Sequence, residues 1–207
     1  MSYSRYSDFL AQAGELMTIQ TSDSPYFAGH LLVAMPGMPD QRFAKAVIYV
    51  CAHTDEGAMG LVINRPMRDI SFPDLLAQLN LVQTEPSVAV PIQFGGPVEQ
   101  GRGFVLHSPD YMHEATLVVD GGVALTGTLD ILQAIAEGHG PKECLLALGY
   151  AGWGPGQLDN EILENGWLTV EADPEIVFKV DLEQKWQSAL AKLGIDLSLL
   201  SEEAGHA

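Results

Sequence analysis

The chain has 207 residues and a formal net charge of −17, from 27 acidic and 10 basic side chains. Hydrophobic residues make up 47% of it and charged ones 18%, enough apolar surface for one sizeable core and too much for a disordered chain. So acid a balance, with Arg42, Arg65, Arg68 and Arg102 scattered along the sequence, disfavours direct binding to nucleic acid or to an anionic membrane, since both need a basic stripe.

Residues 1–27 are polar and mixed, with a short helical pattern at Phe9, Leu10, Ala13, Leu16 and Met17, and are read as an N-terminal extension. Asp8, Gln12 and Glu15 interrupt any apolar signal region, and no run reaches the length of a membrane span, so the expected location is the cytoplasm. Three strands are predicted next. His30–Met35 stops at Pro36-Gly37, and Ala46–Cys51 and Ala58–Asn64 flank a short polar turn as an antiparallel hairpin. Ser71-Phe-Pro-Asp74 has the spacing of a capping box and opens a helix with Phe72, Leu75, Leu76 and Leu79 on one face.

Val88–Phe94 and Gly103–His107 read as strands, and Ala115–Val119 pairs with Val123–Leu125 across Asp120-Gly-Gly122. Thr128–Glu137 is a helix with Leu129, Leu132, Ile135 and Ala136 inward. Cys144–Gly149 is a buried-type strand, followed by a glycine-rich loop over 149–156 and a helix over Gln157–Glu164. Trp167–Val170 and Glu175–Phe178 read as late strands, and a helix over Asp181–Leu193 precedes a frayed tail over 197–207. Strands that follow one another directly imply a single α+β domain, residues 28–196, with a mostly antiparallel or mixed sheet.

Several segments could carry chemistry. Gly95-Gly96-Pro97 is either a sharp turn or a concavity of backbone N–H groups for an anion, with no P-loop lysine to support the latter. The stretch Gly149–Leu158 departs from the dinucleotide-binding glycine fingerprint. It is either a packed loop plugged by Tyr150 and Trp153 or a loop lining a ligand site with Gln157. Arg65, in Asn64-Arg65-Pro66, either pairs with a carboxylate or meets an anionic ligand. His107 ends an apolar strand, where an imidazole can be half-buried and hydrogen-bonded. Cys51 and His53, two apart on a continuing strand, would share a face and could form a nucleophile–base pair, although a buried inert thiol is the commoner outcome. Cys51 and Cys144 form no close-spaced motif and read as reduced thiols. The histidines match no metal-ligand spacing, and no cofactor is expected.

Taken together these residues resemble the AlgH/YqgE family. The resemblance rests on Gly29-His-Leu-Leu-Val-Ala-Met-Pro36, Met38-Pro-Asp40 with Phe43, and Gly57–Pro66. It continues through Gly95-Gly-Pro-Val98, Gly103–His107, Leu148–Leu158, Glu161-Ile162 and Asn165-Gly-Trp167, covering about residues 27–195. It implies a bacterial cytosolic protein whose mixed sheet is strongly bent and flanked by helices. The family takes its name from a proposed regulator of alginate transcription, most members are uncharacterised, and no catalytic or binding residues transfer. With no helix-turn-helix pattern and an acidic surface, regulation through a protein partner fits better than DNA binding.

Three functions follow as expectations. The first is a non-catalytic regulatory or ligand- and partner-binding protein, with a pocket lined by Asn64, Arg65, Gly95, Gly96, His107, Tyr150, Trp153 and Gln157. The second is a hydrolase built on His107 and Glu161 or on Cys51 and His53, which requires each pair within hydrogen-bond reach. Direct DNA binding is the third.

Overall fold

A computed structural model of the protein describes residues 26–84, 90–119 and 122–195. The predicted N-terminal helix and the tail after residue 197 lie outside the described residues. Buried apolar runs form β1 (His30–Ala34), β2 (Val47–Thr54) and β3 (Gly57–Val62), an antiparallel meander. Helix α1 (Phe72–Gln78) starts at Ser71, whose hydroxyl accepts from the Asp74 N–H while the Asp74 carboxylate accepts from the Ser71 N–H. Strands β4 (Ile92–Phe94), β5 (Val98–His107), β6 (Thr116–Val119) and β7 (Val123–Thr126) follow, then α2 (Leu129–Ala136) and β8 (Cys144–Trp153). Helix α3 (Gln157–Leu163), β9 (Trp167–Glu171), a π-helical turn (Glu175–Lys179) and α4 (Lys185–Lys192) complete the described chain.

The strands make one curled sheet in the order β6-β7-β5-β8-β3-β2-β1-β9, with β4 alone running parallel to β8. The fold is therefore α+β, one domain with a bent, mostly antiparallel sheet. One face carries Leu31, Tyr49, Leu61, Phe104 and Ala147, covered by Ile176, Val177, Trp186 and Leu190. The other face splits in two. Phe72, Leu76, Ile131 and Ile135 of α1 and α2 pack on one half, and Phe43 and Leu158 on the other. Full burial of each large aliphatic side chain contributes roughly 1.5–3 kcal/mol.

Three segments differ from their sequence expectations. Leu129 is 55% exposed, and the buried stripe of α2 is Ile131, Leu132, Ile135 and Ala136. Glu175–Phe178 is a π-helical turn rather than a strand. Its Ile176 and Val177 carbonyls accept from the buried Lys185 ammonium, and burial lowers the Lys185 pKa to about 8. The glycine-rich stretch is not a loop through its first half: β8 continues to Trp153 and pairs Ala151, Gly152 and Trp153 with β3.

That continuation depends on a crossing of backbones. Strands β4 and β3 use the same edge of β8 in succession. Gly95 stands at the changeover, donating its N–H to the Leu148 carbonyl and accepting from the Val62 N–H. A Cβ on Gly95 would lie 2.2 Å from the Gly149 carbonyl oxygen, and one on Gly149 would lie 2.4 Å from that of Gly96. Gly149 also sits at φ +72, the left-handed region that favours glycine. Before this residue the odd-numbered Leu145 and Ala147 face the main core; after it the odd-numbered Ala151 and Trp153 face the opposite side. The irregularity at Gly149 thus inverts the alternation of β8 and delivers Trp153 to the α3 side.

Gly149→Ala is expected to destabilise the fold by on the order of 3 kcal/mol, from steric conflict plus left-handed backbone strain. Urea unfolding measures this; a loss below about 1 kcal/mol would show that the crossing relaxes easily.

Candidate functional site

A cleft of about 570 Å³ opens where five chain segments meet. Met35, Met38 and Pro39 follow β1, and Asp40, Arg42 and Phe43 come from the short 3₁₀ turn Gln41–Phe43 and its N-cap. Pro97 lies between β4 and β5, and Ala151, Gly152 and Trp153 end β8. Gln157, Glu161 and Glu164 come from α3 and its end, and Asn165, Gly166 and Trp167 lead into β9. The aromatic rings stand nearly at right angles: Trp153 and Trp167 at 6.3 Å and 81°, Phe43 and Trp167 at 5.7 Å and 71°.

Glu161 is the polar centre. Its Oε2 accepts from Trp153 Nε1 and from Trp167 Nε1, each at 2.9 Å, and its Oε1 accepts from Gln157 Nε2 at 2.8 Å. The last bond is an i,i+4 contact on α3, and Gln157 Oε1 in turn accepts from the Gly154 N–H at 3.0 Å. One carboxylate therefore fixes two indoles from two strands. At the rim, Arg42 grips Asp40 in a two-pronged ion pair with Nη2–Oδ2 at 2.7 Å, and its guanidinium lies 5.8 Å from the Phe43 ring centre.

The structure brings Trp153 and Gln157 together in this cleft. Tyr150 instead joins Trp153 at a smaller hollow of about 270 Å³, beside Met59, Val98 and Gly154. Asn64, Arg65, Gly95, Gly96 and His107 line neither hollow. Asn64 and Arg65 secure the turn before β2: Asn64 accepts from the Val47 N–H and donates to the Lys45 carbonyl, and Arg65 donates to the Ala44 carbonyl. Lys45 holds φ +55, so that turn needs such anchors. Gly95 and Gly96 give up their side chains to the crossing with β8 rather than to an anion.

Neither expected catalytic pair forms. Cys51 is fully buried beside Tyr49 and Leu61, and burial raises its thiol pKa far above the ordinary range. The register of β2 shifts between Val50 and Ala52, so His53 pairs across from Ala58 on the opposite face. There the His53 ring accepts from the Phe27 N–H at Nδ1 and lies 3.4 Å from Asp159. Burial lowers the His53 pKa, against the pull of Asp159.

His107 is completely buried. The Ser108 carbonyl can only accept, so Nδ1 carries the proton, and Nε2 accepts from Thr126 at 2.9 Å; Thr126 meets Thr116 at 2.8 Å. Both ring nitrogens are thus committed to Ser108 and Thr126, while the partners of Glu161 are the two tryptophans and Gln157. Cys144, in the α2-side packing, has its pKa pushed up to about 11 by burial. Among the described residues no three histidine, cysteine or acidic side chains cluster as metal ligands.

Sequence patterns alone did not single out Phe43, Met38 and Trp167 as a site. Their signal was present: each stands in a motif that carries the family resemblance, and the fold gathers those motifs on one cleft.

Burial lowers the His107 pKa, with the Ser108 carbonyl and Asp110 opposing. The unfolded chain protonates near pH 6.5, the folded one only below that, so the stability held by neutral His107 is complete above about pH 6.5 and falls as pH drops through the folded pKa. Thermal melting between about pH 7 and about pH 5 should show a declining midpoint, with a shallower slope in His107→Gln; an unchanged slope would contradict this.

The sequence profile of the AlgH-like family matches residues 31–198. A UPF0301 protein of Rhodospirillum rubrum is 57% identical over 190 residues, covering 92% of this chain and 99% of that one. A UPF0301 protein of Nitrobacter hamburgensis is 56% identical over 193 residues, covering 89% of each. The solution structure of the AlgH protein from Pseudomonas aeruginosa superposes with a TM-score of 0.71 at 43% identity, covering 91% of this chain and 100% of that one. The chain belongs to the AlgH-like family.

Proposed function

We propose that the protein is a non-catalytic binding protein whose ligand or partner seats in the cleft around Glu161. The observation that carries this is the convergence of five segments on one concave, aromatic-lined space organised around the Glu161 carboxylate. Its volume, about 570 Å³, lies in the usual range for small-molecule sites, and its lining follows their pattern of apolar walls with few fixed polar groups. Trp153 and Gln157 are its contact residues from β8 and α3, with Glu161, Trp167 and Phe43 beside them. Asn64 and Arg65 hold the turn beside Phe43, and Gly95, Gly96 and Tyr150 form the crossing that places the β8 wall, whereas His107 stays bonded to Ser108 and Thr126 outside the cleft. The burial of Cys51, His53 and His107 supports binding over hydrolysis, because no described nucleophile–base pair reaches the cleft. A regulatory role in the cytoplasm, exerted through a partner rather than on DNA, agrees with the net charge of −17.

The chain has three tryptophans, of which two face the cleft. The third, Trp186, donates to the Ala34 carbonyl at 2.8 Å in the core. Indole N–H resonances therefore give two reporters and one internal control. Adding a small-molecule extract of a bacterium that carries the gene should shift the Trp153 and Trp167 signals and leave Trp186 in place. Equal movement of all three, or of Trp186 alone, would count against the cleft.

A further inference from the structure

We infer that the group recognised in this cleft is an organic cation, an alkylammonium or guanidinium seated against the aromatic lining with its charge toward Glu161; this rests on the cleft being the binding site. Of the lining residues, Asp40, Glu161 and Glu164 are acidic and Arg42 alone is basic. Arg42 is already matched by Asp40 in the two-pronged pair, which leaves Glu161 and Glu164 without a cationic partner among the described residues. The three N–H donors on Glu161 are neutral, so they orient its charge without cancelling it. A carboxylate offers about four acceptor positions, and one remains for a ligand donor.

The aromatic walls favour the same chemistry. Phe43, Trp153 and Trp167 all border the cleft, the half-buried Phe43 beside the small exposed parts of the two indoles, 8% and 3%, and an aromatic ring attracts a nearby cation. The wall already holds one such contact within the chain, the Arg42 guanidinium over Phe43. A low-dielectric cleft of one sign of charge also concentrates the opposite ion. An anionic ligand would meet Glu161 and Glu164 with no arginine or lysine besides the paired Arg42 among the lining residues to answer it. The volume suits a small free cation; a lysine side chain of a peptide presents the same chemistry and is separated from it by the test.

The test is an indole-resolved titration at low salt with choline and agmatine, against 3,3-dimethyl-1-butanol, a neutral analogue of choline's shape, and 3,3-dimethylbutyrate, its anionic counterpart. N-acetyl-lysine methylamide reports on the peptide source. At least one free cation should bind about tenfold or more tighter than the neutral analogue, corresponding to about 1.4 kcal/mol. The anion should bind weakest. Glu161→Gln, which keeps an acceptor for the indoles, should lower the cation affinity about tenfold more than that of the neutral analogue, with thermal melting confirming that the variant folds. Equal binding of cation and neutral analogue to the native protein would overturn the inference while leaving the cleft as a binding site. Preference for the lysine derivative over both free cations would overturn the free-molecule source. No shift at Trp153 or Trp167 with any probe would remove both the cation and the cleft.

Discussion

Backbone packed directly on backbone, where Gly95 and Gly96 cross Gly149 and Tyr150, is the constraint on which the rest of the architecture depends. A Cβ on Gly96 would lie 2.1 Å from the Tyr150 carbonyl carbon, so the strands meet at a distance that only glycine permits. The crossing lets β8 hand its edge from β4 to β3. Gly149 then reverses which face each later residue of β8 presents. Without that reversal Trp153 would point into the main core and no indole from β8 could reach α3. A second irregularity, the register shift after Val50, acts likewise on β2, sending His53 toward Asp159 and leaving Cys51 in the interior. Two local departures from strand alternation thus set the side-chain arrangement on the α3 face.

On that face one carboxylate does the organising. Glu161 binds the two indole N–H groups that burial would otherwise leave without acceptors, so it ties the end of β8 to the start of β9 through α3. Gln157 connects the same carboxylate to the Gly154 N–H just past β8. The residues at this junction are therefore coupled in stability and in shape. A group that engages Glu161 would be felt by both tryptophans at once.

Much of the fold was legible in the sequence because its signals are local. Short apolar runs bounded by turns gave β1, β2 and β3, the Ser71–Asp74 spacing gave α1, and the glycines after Val119 gave the β6–β7 hairpin. The π-helical turn at Glu175–Lys179 escaped, since Ile176, Val177 and Phe178 read as a strand and the Lys185 ammonium, which takes no part in that pattern, is what bonds the Ile176 and Val177 carbonyls. Gly149 read as the start of a loop because its purpose, close approach of another strand, is a property of tertiary contact. The same gap explains the site. Trp153 and Gln157 were visible as unusual residues after a buried strand, whereas Asn64, Arg65 and His107 stood at equally suggestive strand ends and turned out to hold backbone carbonyls and a hydroxyl. Sequence spacing shows which residues are unusual; only the crossing at Gly149 decides which of them share a surface.

Crystals soaked with a mixture of small organic fragments offer the most direct measurement. The account predicts that fragments collect in the cleft bounded by Phe43, Trp153, Trp167 and Glu161. A cleft left empty, with fragments gathered at the Tyr150–Met59 hollow or dispersed over the surface, would contradict it.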